Sequence, residues 1–241
     1  MTDGASGSIR ERLHAVEERI AVAARAAGRD PASVRLIAVS KTKPCAAIRE
    51  AYAAGQRVFG ESYAQELVEK ASQLTELADL PGIEWHFIGH LQSNKAKHVI
   101  RVAHTVHTVD TVALAHELGK RATASGVRCN ALVEVNVGRE AQKFGVAPED
   151  VEEVLRAVEA EPGLALRGLM TVPPDGGREV ARRIFDTLAT LRTVHGGPGR
   201  LPELSMGMSA DLEEAIAAGA TLVRVGTAIF GERGGGGGRP A

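Results

Sequence analysis

The chain has 241 residues, of which 44% are hydrophobic and 24% are charged, and its formal net charge is −1. This length suits one large α/β barrel or two small domains. The near-neutral charge gives no electrostatic reason to expect binding to nucleic acid or to an anionic membrane, and no apolar run approaches the roughly 20 residues of a membrane-spanning helix.

The first half of the chain alternates predicted helices with predicted strands. Residues 1–7 are expected to form a disordered leader that lacks the basic and apolar regions of a signal peptide, so we expect a cytoplasmic protein. A helix is predicted at 8–27, where apolar residues recur at helical spacing. The predicted strands are 35–42, 57–61, 84–89 and 104–110, and the helices that follow them are 44–54, 62–78, a segment after Ser93, and 111–125.

The same alternation continues in the second half of the chain. The predicted strands are 129–136, 166–172, 203–208 and 221–230, and the predicted helices are 148–160, 179–195 and 209–218. Five consecutive glycines then indicate a flexible tail at 233–241. Eight strands alternating with helices predict a single (β/α)8 TIM barrel over residues 8–232, with an extra N-terminal helix. A doubly wound sheet is the alternative, but it rarely has strands of such regular spacing.

Lys41 stands at the end of the first predicted strand, Arg35-Leu-Ile-Ala-Val-Ser-Lys-Thr42. This strand is predicted to be buried because its apolar residues do not alternate with polar ones. A charged amine at the end of a buried strand is costly. Lys41 either reaches the surface on its long stem, or it is a partly desolvated nucleophile that forms a Schiff base with a carbonyl compound.

Small residues and hydroxyls cluster at the ends of the last two predicted strands, in Ser205-Met-Gly-Met-Ser209 and in Arg224-Val-Gly-Thr227. In a (β/α)8 barrel the active face is at the carboxyl ends of the strands, and phosphate is often bound after strands 7 and 8. Backbone N–H groups near Gly226 can donate to a phosphate. The candidate hydroxyl donors are those of Ser205, Ser209 and Thr227. The alternative is that these glycines are ordinary turn and packing residues.

Arg224 shares one face of the eighth strand with Leu222 and Gly226, so it points inward if that face lines the mouth of the barrel. An inward guanidinium needs hydrogen-bond acceptors. One candidate is a carboxylate from a neighbouring strand, such as Glu134, and the other is a ring nitrogen of a bound ligand. A Schiff-base lysine, phosphate donors and an inward Arg together suggest pyridoxal 5'-phosphate (PLP) as the cofactor.

A set of long motifs runs in order through the chain: Ala38-Val-Ser-Lys-Thr-Lys-Pro44, Phe59-Gly-Glu61, Trp85-His-Phe-Ile-Gly89, Leu91-Gln-Ser-Asn-Lys95, Arg167-Gly-Leu-Met170, Ser205-Met-Gly-Met-Ser209 and Arg224-Val-Gly-Thr-Ala-Ile-Phe-Gly231. This set resembles the pyridoxal phosphate homeostasis proteins (the YggS/PROSC family), and the match is collinear over about residues 9–232.

The resemblance implies a single barrel like the amino-terminal domain of fold type III alanine racemase. It also implies that Lys41 carries PLP as a covalent Schiff base and that Arg224 faces the pyridine nitrogen. The residues that it implies for the phosphate are Ser209, Gly226 and Thr227. One position departs from the family, which usually has Asn where this chain has Ser62, so no cofactor contact is carried over to that residue.

The other candidate sites in the sequence are weak. His86 and His90 could share a strand face, but no third metal ligand has a convincing spacing. His104 and His107 are predicted to lie on opposite strand faces, and the two cysteines, Cys45 and Cys129, lack CxxC spacing. The family-like motifs also contain lysines that we interpret as surface residues, namely Lys43, Lys95 and Lys143.

Three functions are compatible with this pattern. The first is a non-catalytic protein of vitamin B6 homeostasis that holds PLP and hands it over, with apo forms of PLP-dependent enzymes as candidate recipients; we expect it to be a monomer. The second is a PLP-dependent amino-acid racemase, for which Tyr63 after the second strand is the candidate second acid/base. The third is a Schiff-base aldolase that uses Lys41 on a sugar phosphate without a cofactor.

Overall fold

The computed structural model describes residues 7–75 and 82–232, and within them eight parallel strands close into a barrel. The strands are Arg35–Val39 (β1), Val58–Glu61 (β2), Glu84–Phe87 (β3), Thr105–Val109 (β4), Cys129–Glu134 (β5), Leu164–Met170 (β6), Glu203–Ser205 (β7) and Leu222–Val225 (β8). Each strand pairs with the next in sequence, and β8 pairs with β1 to close the barrel. The predicted (β/α)8 TIM barrel is therefore confirmed.

Helices surround the barrel. They are Ile9–Ala26 (α1), Cys45–Ala53 (α2), Ala64–Thr75 (α3), Ala96–Val99 (α4), Val112–Ala124 (α5), Val151–Ala160 (α6), Gly177–Val194 (α7), Gly197–Arg200 (α8), Leu212–Ala217 (α9) and Thr227–Phe230 (α10). The predicted extra N-terminal helix is α1, which begins with a capping box between Ser8 and Glu11 and packs against α9 and α10. Among the residues that the structure describes, no helix is long and apolar enough to cross a bilayer.

Some expectations fall on parts of the chain that are not described. These are the leader at 1–7 apart from Gly7, the tail at 233–241, and the last residues of the helix predicted at 62–78.

The prediction of a strand over the whole of 221–230 is wrong for its second half. β8 ends at Val225, and Thr227–Phe230 form the short helix α10. The carbonyl of Gly226 accepts hydrogen bonds from the N–H groups of Ile229 (3.0 Å) and Phe230 (2.9 Å), which makes a helical turn. An apolar run of this kind does not show by its periodicity where a strand ends and a helix begins.

Other strands are also shorter than predicted. β1 ends at Val39, and Thr42 has a left-handed φ of 64°, so Lys41 lies in a turn after the strand and not in its last position. β7 ends at Ser205, two residues before Gly207, whose φ is 93°. In both places the turn brings the chain out of the sheet at the carboxyl end of the barrel, where the candidate site lies.

The interior of the barrel contains both apolar and polar side chains. A small apolar cluster brings together Ile37, Val58, Leu132, Met170 and Leu222. These residues come from strands all around the barrel, so they can meet only inside it. A larger cluster lies between the barrel wall and the helices. Polar side chains of β3, β4, β7 and β8 share the interior with this cluster, and they form part of the candidate site.

Candidate functional site

Lys41 lies in a turn that is held on both sides. The carbonyl of Ser40 accepts a hydrogen bond from Lys70 Nζ at 2.6 Å, and the N–H of Thr42 donates to Glu66 Oε1 at 2.6 Å. Lys70 and Glu66 both belong to α3, so side chains of one helix form hydrogen bonds with the residue before Lys41 and with the residue after it. The main chain of Lys41 is therefore fixed by partners that are far away in the sequence.

These two hydrogen bonds belong to a buried charged cluster that lies between the ends of β1 and β2 and helix α3. Lys70 Nζ is 2.8 Å from Glu61 Oε1 and 2.7 Å from Glu66 Oε1, and the Ser40 hydroxyl also donates to Glu61 Oε1 at 2.6 Å. Glu61 is fully buried and Lys70 is 6% exposed. Burial raises the pKa of Glu61, and Lys70 and Ser40 oppose that shift. Sequence reasoning missed this cluster, for which the only local signal is the i,i+4 spacing of Glu66 and Lys70.

Arg224 is buried and points into the barrel. Its Nη1 donates to Ser205 Oγ at 2.6 Å and its Nη2 donates to the carbonyl of Thr171 at 3.0 Å. These bonds leave further N–H groups of the guanidinium for a ligand. Burial lowers the pKa of Arg224 to about 10, while Glu134 and Asp211 act in the opposite direction, so the side chain stays charged at neutral pH.

Of the two acceptors considered for Arg224, Glu134 accepts no hydrogen bond from it in the described structure, and the ring nitrogen of a ligand stays a prediction. Ser205 is on β7, the neighbour of β8, whereas Glu134 is on β5, further round the barrel. Glu134 Oε2 is buried and has no hydrogen-bond partner among the described residues. Burial raises the pKa of Glu134 to about 7, with Asp110 adding to the shift and Arg224 opposing it. Glu134 therefore influences Arg224 by electrostatic attraction at a distance, without a hydrogen bond.

The predicted phosphate residues lie at the ends of adjacent strands. Gly226 connects β8 to α10, Thr227 is the exposed first residue of α10, and Ser209 is a half-buried residue between β7 and α9. A Cβ atom on Gly226 would lie 3.1 Å from the carbonyl oxygen of Val39. The end of β8 therefore packs closely against the end of β1, two residues before Lys41, as their pairing requires.

Ser205 occupies a different place from the other hydroxyls. It is fully buried, and its Oγ contacts both Arg224 and Nδ1 of His107, 2.9 Å away. The structure thus brings Lys41, Arg224 and Gly226 to one edge of the barrel and places Ser205 behind Arg224 in the interior.

Two histidines that the sequence reasoning set aside are part of this interior. His107 Nε2 is 2.8 Å from His86 Nδ1, and His86 Nε2 is 3.0 Å from Glu84 Oε1. Glu84 and His86 are alternate residues of β3 and so share its inner face, which is the signal that could have found them. Among the described residues, no group of three or more His, Cys, Asp or Glu side chains is placed to hold a metal ion.

The other candidate residues lie apart from this interior. Lys43 Nζ donates to the carbonyls of Gly231 (3.0 Å) and Glu232 (2.8 Å). Lys143 pairs with Glu140 at 2.7 Å, and Lys95 is exposed. The remaining candidates are Tyr63, which is 42% exposed, Ser62, which is half-buried, and His90, which stacks on the ring of Phe144 with centroids 3.5 Å apart.

Comparison with known proteins gives a consistent assignment. Residues 12–234 match the family model for the N-terminal domain of alanine racemase. The chain is 49% identical to the pyridoxal phosphate homeostasis protein of Pseudomonas aeruginosa, with 94% of this chain and 96% of that protein aligned. It is 44% identical to the Escherichia coli protein of the same name, with 93% and 97% aligned.

Solved structures agree with these sequence matches. PipY of Synechococcus elongatus with PLP bound has a TM-score of 0.81 and 39% identity, and the alignment covers 93% of this chain and all (100%) of PipY. Alanine racemase of Clostridium difficile shares the fold, with a TM-score of 0.71 at 13% identity, and the alignment covers 93% of this chain but 56% of the racemase. The resemblance that the motifs indicate is therefore confirmed, and the chain belongs to the family of pyridoxal phosphate homeostasis proteins.

Proposed function

We propose that this chain binds PLP covalently through Lys41, as a Schiff base, and serves PLP homeostasis without significant catalysis. The observation that carries the proposal is the pairing of β1 with β8, which brings the Lys41 turn beside Arg224 and Gly226. The names of the relatives and the PLP-bound structure of PipY support the choice of cofactor.

The residues at this edge fit the chemistry of PLP. The phosphate would be held at Gly226 and Thr227, where the first N–H groups of a helix have no intrahelical partner, and at the hydroxyl of Ser209. The ring nitrogen would face Arg224. Gly226 has no side chain that would block the approach of the phosphate, and a Cβ at this position would already contact Val39.

The charge on Arg224 favours holding the cofactor over activating it. PLP, when bound, supplies an aldehyde for amines and an electron sink whose strength depends on protonation of the ring nitrogen. A guanidinium offers only donors and keeps its charge, so it favours an unprotonated ring nitrogen and a weak sink. Arg224 donates to Ser205 and Thr171 and has no carboxylate within hydrogen-bond distance in the described structure.

Lys41 is tested by borohydride reduction of the PLP-loaded protein followed by peptide mapping. We expect the pyridoxyl label on Lys41, and we expect Lys41→Ala to lose the near-visible absorption band of the bound cofactor. Lys43→Ala is the matched control, because Lys43 is two residues away and binds the carbonyls of Gly231 and Glu232. Label on Lys43, Lys95 or Lys143 in the parent protein would contradict the assignment.

A racemase remains the alternative function, because Tyr63 is exposed and follows β2, the neighbour of β1. The test is exchange of the α-proton of alanine in heavy water by the PLP-loaded protein. We expect no exchange at enzyme-like rates, which are on the order of 1 s⁻¹ or faster. Exchange at such rates that disappears in Tyr63→Phe would establish the racemase.

Apo forms of PLP-dependent enzymes are the proposed recipients of the cofactor. We expect the PLP-loaded protein to reactivate an apo-enzyme faster when the two proteins are mixed than when a dialysis membrane separates them. Equal rates in the two arrangements would show that the recipient takes up free PLP from solution.

A further inference from the structure

A continuous chain of hydrogen bonds crosses the interior of the barrel. It runs from Arg224 Nη1 to Ser205 Oγ (2.6 Å), from Ser205 Oγ to His107 Nδ1 (2.9 Å), from His107 Nε2 to His86 Nδ1 (2.8 Å), and from His86 Nε2 to Glu84 Oε1 (3.0 Å). Glu84 is the first residue of β3, so the chain starts at the amino-terminal end of the barrel and reaches the carboxyl-terminal end at Arg224. We call these five side chains the interior relay.

The two ends of the interior relay determine the direction of every bond in it. Arg224 can only donate, so Ser205 Oγ accepts from it and turns its own hydrogen toward His107. His107 Nδ1 must then be an acceptor, which leaves the ring proton on Nε2. Since that proton is donated to His86 Nδ1, the proton of His86 is also on Nε2, where it meets the carboxylate of Glu84.

An added proton would disrupt this arrangement. If His86 carried protons on both nitrogens, Nδ1 would donate to His107, and the proton of His107 would move to Nδ1 and point at Ser205. Ser205 Oγ would then face two donors, and its own hydrogen would lose its acceptor in a fully buried place. Burial holds the pKa of His107 well below its ordinary range, and the charge of Arg224 acts in the same direction, in agreement with a neutral ring.

Charged groups at the two ends of the interior relay favour the same direction of hydrogen-bond donation. At one end, the hydrogen bond from His86 and then that from Arg35 Nη2, 2.6 Å from Oε2, lower the pKa of Glu84 to about 2, so the terminal carboxylate is ionised. At the other end, Glu134 and Asp211 favour the charged form of Arg224. Ser40, Glu61 and Lys70 belong to the separate cluster outside the barrel wall and take no part in the interior relay.

We propose that His86 and His107 are positioning residues, which fix the hydroxyl of Ser205 so that its lone pair faces Arg224 and holds the guanidinium at the cofactor edge. The tautomers follow from the geometry of this chain alone, whereas the consequence for the cofactor rests on the function proposed above. Neither histidine touches the edge where Gly226 and Thr227 lie, so each acts through Ser205.

The tautomers are tested by nitrogen NMR of the full chain labelled at histidine. The chain has eight histidines, and the His86→Asn and His107→Asn variants assign the two signals of interest. At neutral pH we expect both rings to carry a single proton, on Nε2. A proton on Nδ1 of either ring, or a doubly protonated ring, would overturn the proposal, and this measurement requires no bound PLP.

The positioning role is tested by a matched pair of substitutions at His107. The amide oxygen of Asn reaches the position of Nδ1 and can still accept from Ser205, whereas the amide of Gln reaches the position of Nε2 and leaves Ser205 without an acceptor. We expect His107→Gln to weaken PLP binding about tenfold and to shift the spectrum of the bound cofactor. We expect His107→Asn to retain both within about threefold of the parent.

The controls separate this proposal from the function on which it depends. His14→Gln changes an exposed histidine of α1 and should alter neither affinity nor spectrum. Equal effects of the Asn and Gln variants at His107 would overturn the positioning role, even if both variants fold normally by circular dichroism. Failure of the parent chain to bind PLP would overturn the proposed function and leave the tautomer result standing.

Discussion

The amino-terminal and carboxyl-terminal ends of the barrel interior contain the same kinds of charged side chain, but they pair them differently. At the amino-terminal end, Arg35 is 2.6 Å from Glu84 and Arg167 is 3.4 Å from Glu203, and all four side chains are partly exposed. The hydrogen bond from His86, together with Arg35, lowers the pKa of Glu84 to about 2. Each of these four charges has an opposite charge beside it and is partly exposed to solvent.

At the carboxyl-terminal end, burial disfavours the charged forms of the side chains. It lowers the pKa of Arg224 to about 10 and raises that of Glu134 to about 7, and the two side chains share no hydrogen bond. Burial also raises the pKa of Asp110 at the end of β4. Groups whose pKa values are displaced in this way cluster at functional sites, and in this fold the functional end is the carboxyl-terminal one. The difference is the one we expect if the carboxyl-terminal end binds the proposed cofactor while the paired charges of the amino-terminal end contribute to stability.

The largest effect on stability is expected from a buried pair on the outer side of the carboxyl-terminal end. Lys70→Met leaves Glu61 buried without its partner, so we expect a loss of about 3 to 5 kcal/mol in the free energy of unfolding. Lys120→Met on the exposed face of α5 is the control. Urea denaturation measures both, and a similar small loss in the two variants would contradict a buried, structurally required ion pair.

The next largest effect is expected from Glu134→Gln, which should increase the free energy of unfolding by an amount that depends on pH. The pKa of Glu134 in the folded chain is about 7, above its ordinary value of 4.5, so the folded state binds the extra proton and stability is lost as pH rises from about 4.5 through 7. Glu134→Gln removes this penalty. We expect the variant to exceed the parent by up to about 3 kcal/mol at pH 8 and by little at pH 4.5.

Denaturation of both proteins without cofactor, at the two pH values, checks this prediction. The same difference in stability at both pH values would mean that burial does not raise the pKa of Glu134. A gain confined to low pH would have the wrong sign and would contradict the raised pKa directly.

A smaller effect is expected on the affinity for the cofactor, from the substitution Gly226→Ala. Gly226→Ala places a Cβ 3.1 Å from the carbonyl oxygen of Val39, so the end of β8 must shift by a few tenths of an ångström. We expect the preference of the chain for PLP over pyridoxal to fall about tenfold, because the loss is confined to the phosphate contacts. Titration of each compound measures the ratio. Gly199→Ala, at a site with no atom within 4 Å of the new Cβ, is the control; a parent chain with equal affinity for the two compounds would refute phosphate binding here.

The smallest effect is expected at the amino-terminal end. Arg35→Ala removes a half-exposed ion pair, which is worth no more than about 1 kcal/mol. Glu84 keeps its hydrogen bond from His86, which is the largest cause of its low pKa. Denaturation at low and high salt should show a loss that shrinks as salt increases. A loss as large as that of Lys70→Met would remove the distinction between the two ends.

Local patterns were sufficient to predict most of the architecture. The alternation of apolar strands and amphipathic helices predicted the barrel, and the order of the motifs predicted which strand ends carry Lys41, Arg224 and Gly226. The two-residue period of a strand placed Arg224 on one face with Leu222, and the structure shows that this face points inward. These features depend on residues that are close together in the chain, so the sequence alone determined them.

The partners of those residues were decided only by closure of the barrel. Whether Arg224 meets Glu134 or Ser205, and whether His86 meets His107, depends on the distances and register between strands that lie far apart in sequence. The same is true of Lys70, which reaches the Lys41 turn because α3 packs against β2 and β3. Sequence periodicity determines the face on which a side chain lies, but hydrogen bonds act over about 3 Å, and only the tertiary structure places distant side chains to that accuracy.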